Sequence, residues 1–331
     1  KGERNFHPFP WEFSIVFLTC CNTKKEQGSF IPFAGKYFFM KKGKFIGVDA
    51  HGFYQTIILW TAPDGFKEML RMNLSIIDAH IHFDQYPVEE QKAILGQLNT
   101  FHVESLISVS MDLDSCKNNL RLSQQDLRVK PAFGLHPEQV LPREEELEHL
   151  FHFLWEQQHA MVALGEVGLP FYTRKENPSL QLEPYIEVLE EFIKLASKLH
   201  KPIVLHAIYE DAITVCDLLE KHSVEKAHFH WFKGDALTLE RMMANQFFIS
   251  FTPDILAKEK IRKIASLYPT HLIMAETDGP WSFEDIFPGE KTHPKMVHSV
   301  VEALATIKKL PIKETYEVIL KNTKQFYNLH D

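Results

Sequence analysis

The stretch Ile76-Ile77-Asp78-Ala79-His80-Ile81-His82-Phe83-Asp84 is a short apolar run that ends in two histidines one residue apart. Successive side chains of an extended chain point to opposite faces, so positions two apart share a face and His80 and His82 can address the same cation. The competing reading is a pair of surface histidines after a buried strand, because histidine is also common at polar strand ends. The rest of the chain decides between them.

From Leu74 onward, short apolar runs recur at intervals of tens of residues: Ser75–Ala79, Ser105–Val109, Pro131–Gly134, Met161–Gly165, Pro202–His206, Ala227–His230, Phe247–Phe251 and Leu272–Ala275. Between them lie helix-like stretches. The clearest is Leu182–Leu199, where Leu189, Phe192, Ile193, Ala196 and Leu199 fall on one face at helical spacing. Continuous apolar strands suit a parallel sheet covered on both faces, and about 250 residues is the usual size of an eight-stranded barrel. Residues 74–331 number 258, so the pattern predicts an α/β protein, a TIM (β/α)8 barrel.

Such a barrel builds its site at the C-terminal ends of the strands. The first run ends in His80 and His82, the fourth in Glu166, the fifth in His206, the sixth in His230, and the eighth leads through Glu276 and Thr277 to Asp278. Position is what singles these out among the 16 histidines from residue 74 onward. His102, His149, His152, His159, His200 and His222 lie in or beside helices, where solvated or packed histidines are expected.

Composition narrows the classes. The chain has 331 residues, 45% of them hydrophobic and 24% charged, which is ordinary for a globular protein with a sizeable core. Cys20, Cys21, Cys116 and Cys216 form neither a CxxC pair nor a disulfide-framework spacing. That fits a reducing compartment, the cytoplasm by default, and argues against a thiolate zinc site. No apolar stretch reaches the roughly 18 residues of a membrane span.

In their order and spacing the motifs IIDAHIHFD (76–84), FGLHPE (133–138), ALGEVGL (163–169), PIVLH (202–206), FHWFKG (229–234) and AETDGPW (275–281) resemble the TatD family of metal-dependent hydrolases, within the amidohydrolase superfamily. The resemblance spans 74–331. It implies a barrel with two divalent cations, Zn, Mn or Mg, and ligands at His80, His82, Glu166, His206, His230 and Asp278. It also implies a substrate-side histidine at His136 and a closing helix with Asn322 and Phe326. On this carry-over Glu166 bridges, His80, His82 and Asp278 surround one cation, and His206 with His230 surround the other. Asp278 also accepts a proton from the nucleophilic water, so Asp278 and Glu166 are the expected catalytic carboxylates. Imidazole-rich ligation suits Zn or Mn, whereas Mg prefers oxygen.

Three departures bear on substrate. Pro170 stands where the family usually has Asp after Gly-Leu, and Ala207-Ile208-Tyr209-Glu210 follows His206 where an arginine and an aspartate are common. The loop Phe287–Pro294, often basic in the family, pairs one lysine with one glutamate. A bidentate arginine for phosphate is therefore not evident, and His136 and Lys233 are the expected phosphate contacts. Residues 74–331 carry a net charge of −12, which disfavours a long nucleic-acid footprint but allows an enzyme that engages only the last phosphates of a DNA end. Three functions follow. They are a two-metal deoxyribonuclease or phosphodiesterase acting at a DNA end, a two-metal hydrolase of a small ester, amide or lactone, and a metal-binding barrel that acts by interaction. No membrane or obligate protein partner is inferred.

Residues 1–73 differ in character. They carry a net charge of +4, hold 11 of the 26 phenylalanines and show no sustained periodicity, and the chain starts at lysine. One expectation is an extension that is dispensable for the barrel and foreign to the native translation product. The other is an accessory hairpin domain that packs Phe38, Phe39, Phe45 and Ile46 against the barrel exterior, since exposed aromatics would invite aggregation. A chain beginning at Met72 should fold cooperatively and stay active, and mass spectrometry of the protein from its own cells should find Met69, Met72 or the following residue as its N-terminus. Insolubility of the shortened chain, or native peptides from before Lys67, would make the segment a working part.

Overall fold

Runs that are apolar throughout can be buried on both faces, and the eight of them pair edge to edge as one parallel sheet. The structure, a computed structural model, describes residues 74–329 in full and, before them, the backbone of three strands only. The chain divides into two compact units, 1–67 and 68–331.

In the first unit, β1 (Phe30–Phe33), β2 (Lys36–Lys41) and β3 (Lys44–Val48) form an antiparallel sheet with β2 central. Phe39 stands opposite Phe30 on one side and Ile46 on the other. The side-chain packing expected of Phe38, Phe39, Phe45 and Ile46, and the positions of Met69 and Met72, lie outside what the structure describes.

The second unit alternates strand and helix. Its elements are β4 (Ile76–Ile81), α1 (Val88–Gln97), β5 (Val103–Val109), α2 (Leu113–Gln125), β6 (Val129–Phe133), α3 (Glu144–Glu156), β7 (Ala163–Gly168), α4 (Phe171–Glu176), α5 (Glu183–Leu199), β8 (Ile203–His206), α6 (Asp211–Lys221), β9 (Ala227–Phe229), α7 (Ala236–Ala244), β10 (Phe248–Phe251), α8 (Glu259–Leu267), β11 (Ile273–Ala275), α9 (Val297–Lys308) and α10 (Ile312–Tyr327). Each strand pairs in parallel with its neighbours in sequence, giving the nearly closed barrel expected of a TIM fold. The expected helix over 182–199 is α5, with Leu189, Phe192, Ile193 and Ala196 buried, while Leu199 is only partly covered.

Strands β4 and β7 run further than their apolar runs, through Ile81 and Gly168. The added residues include His80 and Glu166, polar side chains that end an apolar pattern without ending the backbone pairing. Beyond its strands the barrel closes through side chains and loop backbone. The Asp278 N–H donates to the His80 carbonyl at 3.0 Å, the His82 N–H to Gly279 at 2.7 Å, and the Thr277 N–H to Asp78 Oδ1 at 2.9 Å. Asp78 is fully buried, and burial pushes its carboxyl up to about 7 even though Thr277 hydrogen bonds oppose the shift.

The last helix seals the core. Phe326 and Tyr327 join a buried cluster with Ile77, Ile107, Ala132, Ala163 and Val204, and the Tyr327 hydroxyl sits 3.1 Å from the Ala79 carbonyl oxygen. Asn322, 4% exposed, donates from Nδ2 to Thr270 O at 2.8 Å and Ile273 O at 2.7 Å, satisfying backbone at the start of β11. Asn322→Ala orphans those carbonyls and should cost about 1–3 kcal/mol in urea unfolding, with the metal content of the folded protein unchanged.

Candidate metal centre

Glu166 faces the barrel mouth on β7 and is fully buried. The chain can crowd a carboxylate there because its neighbours are glycines. A Cβ on Gly134 would stand 2.6 Å from the Glu166 carbonyl oxygen, and one on Gly168 would stand 1.9 Å from that of His206. Both distances are impossible for a side chain, so β6, β7 and β8 approach this closely only with glycine at those two places.

The two oxygens of Glu166 face two different sets of residues. Oε2 lies 3.1 Å from His80 Nε2 and 3.2 Å from His82 Nε2, and those same nitrogens are 3.3 and 3.6 Å from Asp278 Oδ1. Oε1 lies 2.6 Å from His230 Nε2, 2.9 Å from His206 Nδ1 and 3.5 Å from His136 Nε2. The rings of His80 and His230 stack at 3.9 Å, so the two sets are contiguous. All six expected ligands are thus brought together at the ends of β4, β7, β8, β9 and β11. Asp278, at φ 52, occupies a left-handed conformation that Asp tolerates better than most side chains. Glu166 Oε2 has no hydrogen-bond partner.

The donor set fits a cation. His80 Nε2, Glu166 Oε2 and Asp278 Oδ1 are buried, mutually close and without hydrogen bonds, as ligand atoms aimed at a common point would be. His80, His82 and Glu166 form one group whose ligand atoms could hold a metal ion, and His136, Glu166 and His206 form another. Protons carry the compensating charge when no cation does. Burial alone would push Glu166 up, but His230, His136 and His80 together hold it well below the carboxylate range. Against the same burial, Glu166 raises His230 to about 9 and His80 well above the imidazole range. A single carboxylate cannot charge every ring, and burial with the neighbouring imidazoles drives His136 down to about 3. Metal binding here must displace protons.

Further polar groups back this cluster, and sequence reading assigned them no role. Glu138, in the loop after β6, lies 3.2 Å from His206 Nε2. Glu276 accepts from the Trp231 N–H at 2.8 Å and from Ser250 Oγ, and its Oε1 is 3.7 Å from His230 Nδ1. Ser250 in turn meets His228 Nε2 at 2.6 Å, and His228 Nδ1 lies 2.9 Å from the Tyr327 hydroxyl. Glu138 and Glu276 stand inside the FGLHPE and AETDGPW motifs, and that position was the available signal.

The cluster opens into a cavity of about 910 Å³ lined in part by His136, Tyr172, Trp231, Lys233 and Trp281. Lys233 Nζ lies 3.1 Å from the Tyr172 hydroxyl and 4.0 Å from the Trp231 ring centre, and burial pushes its pKa down. Arg174, the guanidinium next to this region on α4, is engaged by Asp211 at 2.7 Å and Glu210 at 3.5 Å. His149, His152, His159 and His200 are exposed and His102 and His222 partly buried, none of them in the cluster.

A parallel eight-stranded barrel with a buried histidine and carboxylate cluster at its strand ends defines a metal-dependent hydrolase. The chain belongs to the TatD-related DNase family, whose model matches residues 77–328. It is 38% identical over 255 residues to a metal-dependent hydrolase of Haemophilus influenzae described as uncharacterized, covering 77% of this chain and all of that one. It is 26% identical over 271 residues to the human deoxyribonuclease TATDN3, covering 78% of this chain and 97% of the relative. Among solved structures it is similar to YjjV, a TatD homolog from Escherichia coli K12, with a TM-score of 0.68 and 24% identity over 77% of this chain and 98% of that one. The last likeness concerns the fold alone. No helix among the described residues is long and apolar enough to cross a membrane.

His206→Ala should lower bound metal, measured by elemental analysis after dialysis, by more than about tenfold in affinity. His149→Ala, on α3 and away from the cluster, should leave it unchanged. Normal metal content in an Asp278→Ala/His206→Ala double variant would overturn the assignment.

Proposed function

We propose that the protein is a two-metal hydrolase of TatD type that cleaves a phosphodiester near a DNA end. The observation that carries this reading is the division of Glu166, whose two oxygens address separate sets of imidazoles. His80, His82 and Asp278 with Oε2 would hold one cation, and His206 and His230 with Oε1 the other. Bound there, divalent cations would supply Lewis-acid polarisation of the scissile group and a water of lowered pKa. Glu166 would fix the spacing of the two sets, while Asp278, at the rim of the first, would take the proton of the attacking water on the carboxylate oxygen not given to the cation. Against its own burial, Asp278 is held below the usual carboxylate range chiefly by the adjacent His80 imidazole, which keeps it ionised and so open to a proton.

The cavity supports a terminal nucleotide as substrate. Lys233 and His136 face it as phosphate contacts, and Tyr172, Trp231 and the 61% exposed Trp281 offer ring faces to an unstacked base. The human deoxyribonuclease relative favours the same chemistry. The buried free thiols of Cys116 and Cys216, each pushed up to about 12 by burial, suit the reducing cytoplasm we assign to the protein.

Metal-loaded protein should release nucleotides from a single-stranded DNA end, and a chelator should abolish the reaction. Turnover of an ester or lactone panel with none on DNA would replace the phosphodiester reading by small-ester hydrolysis. With Arg174 occupied and the barrel acidic, binding of DNA ends should be weak and salt-sensitive. Trp281→Ala should weaken binding further, by about 1–3 kcal/mol if a base stacks there. Tight binding that persists at high salt would contradict this grip.

A further inference from the structure

Pro170 is the N-cap of α4, the place where an Asp or Ser side chain would accept from the N–H groups two and three residues on. Proline has nothing to offer them. The carboxylate of Glu138 takes both from another loop, accepting from the Tyr172 N–H at 2.8 Å on Oε1 and from the Thr173 N–H and hydroxyl, each at 2.7 Å, on Oε2. These donors fix the carboxylate with Oε1 3.2 Å from His206 Nε2, while His206 Nδ1 points to Glu166 Oε1 at 2.9 Å. The two ring nitrogens of His206 are thereby given different tasks.

We propose that Glu138 is a positioning residue for the metal centre. It receives the Nε2–H of His206 and so presents Nδ1 as the ligand atom, in the manner of a carboxylate behind a metal-bound imidazole. In this chain the departure at Pro170 and the glutamate of FGLHPE are two halves of one device. With an aspartate or serine in place of Pro170 the helix would cap itself, and Glu138 would lose the donors that hold it beside His206. His80 Nδ1 and His82 Nδ1 in the first set, and His230 Nδ1 in the second, are buried without a hydrogen-bond partner, so among these four histidines His206 is the one with a carboxylate hydrogen-bonded behind it.

The inference rests on His206 being a ligand, and the experiment separates the two claims. Zinc affinity by competition with a chromophoric chelator, thermal stability, and the ring 15N and Nε2–H signals of His206 in zinc-loaded protein are compared for four proteins. They are the unaltered protein, Glu138→Ala, Glu138→Ala/Pro170→Ser and His206→Ala. Glu138→Ala should weaken zinc by about 10- to 100-fold. It should also remove exchange protection from the Nε2–H. The Pro170→Ser change recaps α4 without a carboxylate, so the double variant should regain thermal stability while zinc affinity and the Nε2–H signal stay lost. Unchanged zinc affinity in Glu138→Ala, or its recovery in the double variant, would overturn the proposal and leave Glu138 a helix cap. Unchanged zinc content in His206→Ala would instead overturn the ligand assignment beneath it.

Discussion

A carboxylate with no solvent exposure is tolerable only where positive charge surrounds it, and Glu166 sets that requirement for the whole mouth of the barrel. Five of the groups it meets are imidazoles, drawn from β4, the loop after β6, β8 and the end of β9. None of these elements could be moved outward without leaving the carboxylate uncompensated. Glu166 raises the pKa of His80 and His230 against their burial, so without a cation these imidazoles favour the protonated form, and a cation can take over that role without new acidic groups. Glycine at 134 and 168 is the steric side of the same demand, since larger residues would hold the strands too far apart for the rings to converge.

Convergence also requires that the first and last strands meet. Thr277 and Asp78, 199 positions apart, are joined by two hydrogen bonds, and the Asp278 and His82 N–H groups cross the seam in opposite senses. Asp278 thus reaches His80 because the seam is closed there. From the other side, Tyr327 on α10 touches the Ala79 carbonyl and, through His228, Ser250 and Glu276, comes to the ring of His230. The helix that seals the core and the residues that would hold a cation are linked through Tyr327 by buried polar contacts, so a change at Tyr327, unlike one at Asn322, is felt at the mouth.

The eight strands were legible because a parallel barrel buries both faces of each, which leaves uninterrupted apolar runs that no surface element needs. The residues at their ends were legible for the complementary reason, being polar where the apolar run stops. Glu138 and Glu276 were not, although both stand in the quoted motifs. A carboxylate in a loop is ordinarily solvated, and nothing in spacing says that Glu138 reaches a histidine 68 positions away. The length of β4 and β7 was misjudged on the same principle, since His80 and Glu166 break the apolar pattern while remaining in the strand. Pro170 was visible as a departure, but its consequence is a backbone donor pair, and donors left by a missing side chain have no letter in the sequence.

Charge explains why the mouth is built of rings. The barrel unit is acidic overall, so long-range attraction cannot gather an anionic chain, and the Arg174 guanidinium on α4 is committed to Asp211. What the cavity retains is short-range. Lys233 is desolvated against Trp231 and Tyr172, a setting in which one ammonium counts for more than it would in open solvent, and the rings beside it bind by contact. A phosphodiester gripped this way is held close to the cluster or not at all. On the proposed reading, that restricts the substrate to an end that can enter the cavity, and it places recognition on the terminal base and phosphate, with little contribution from the rest of the strand.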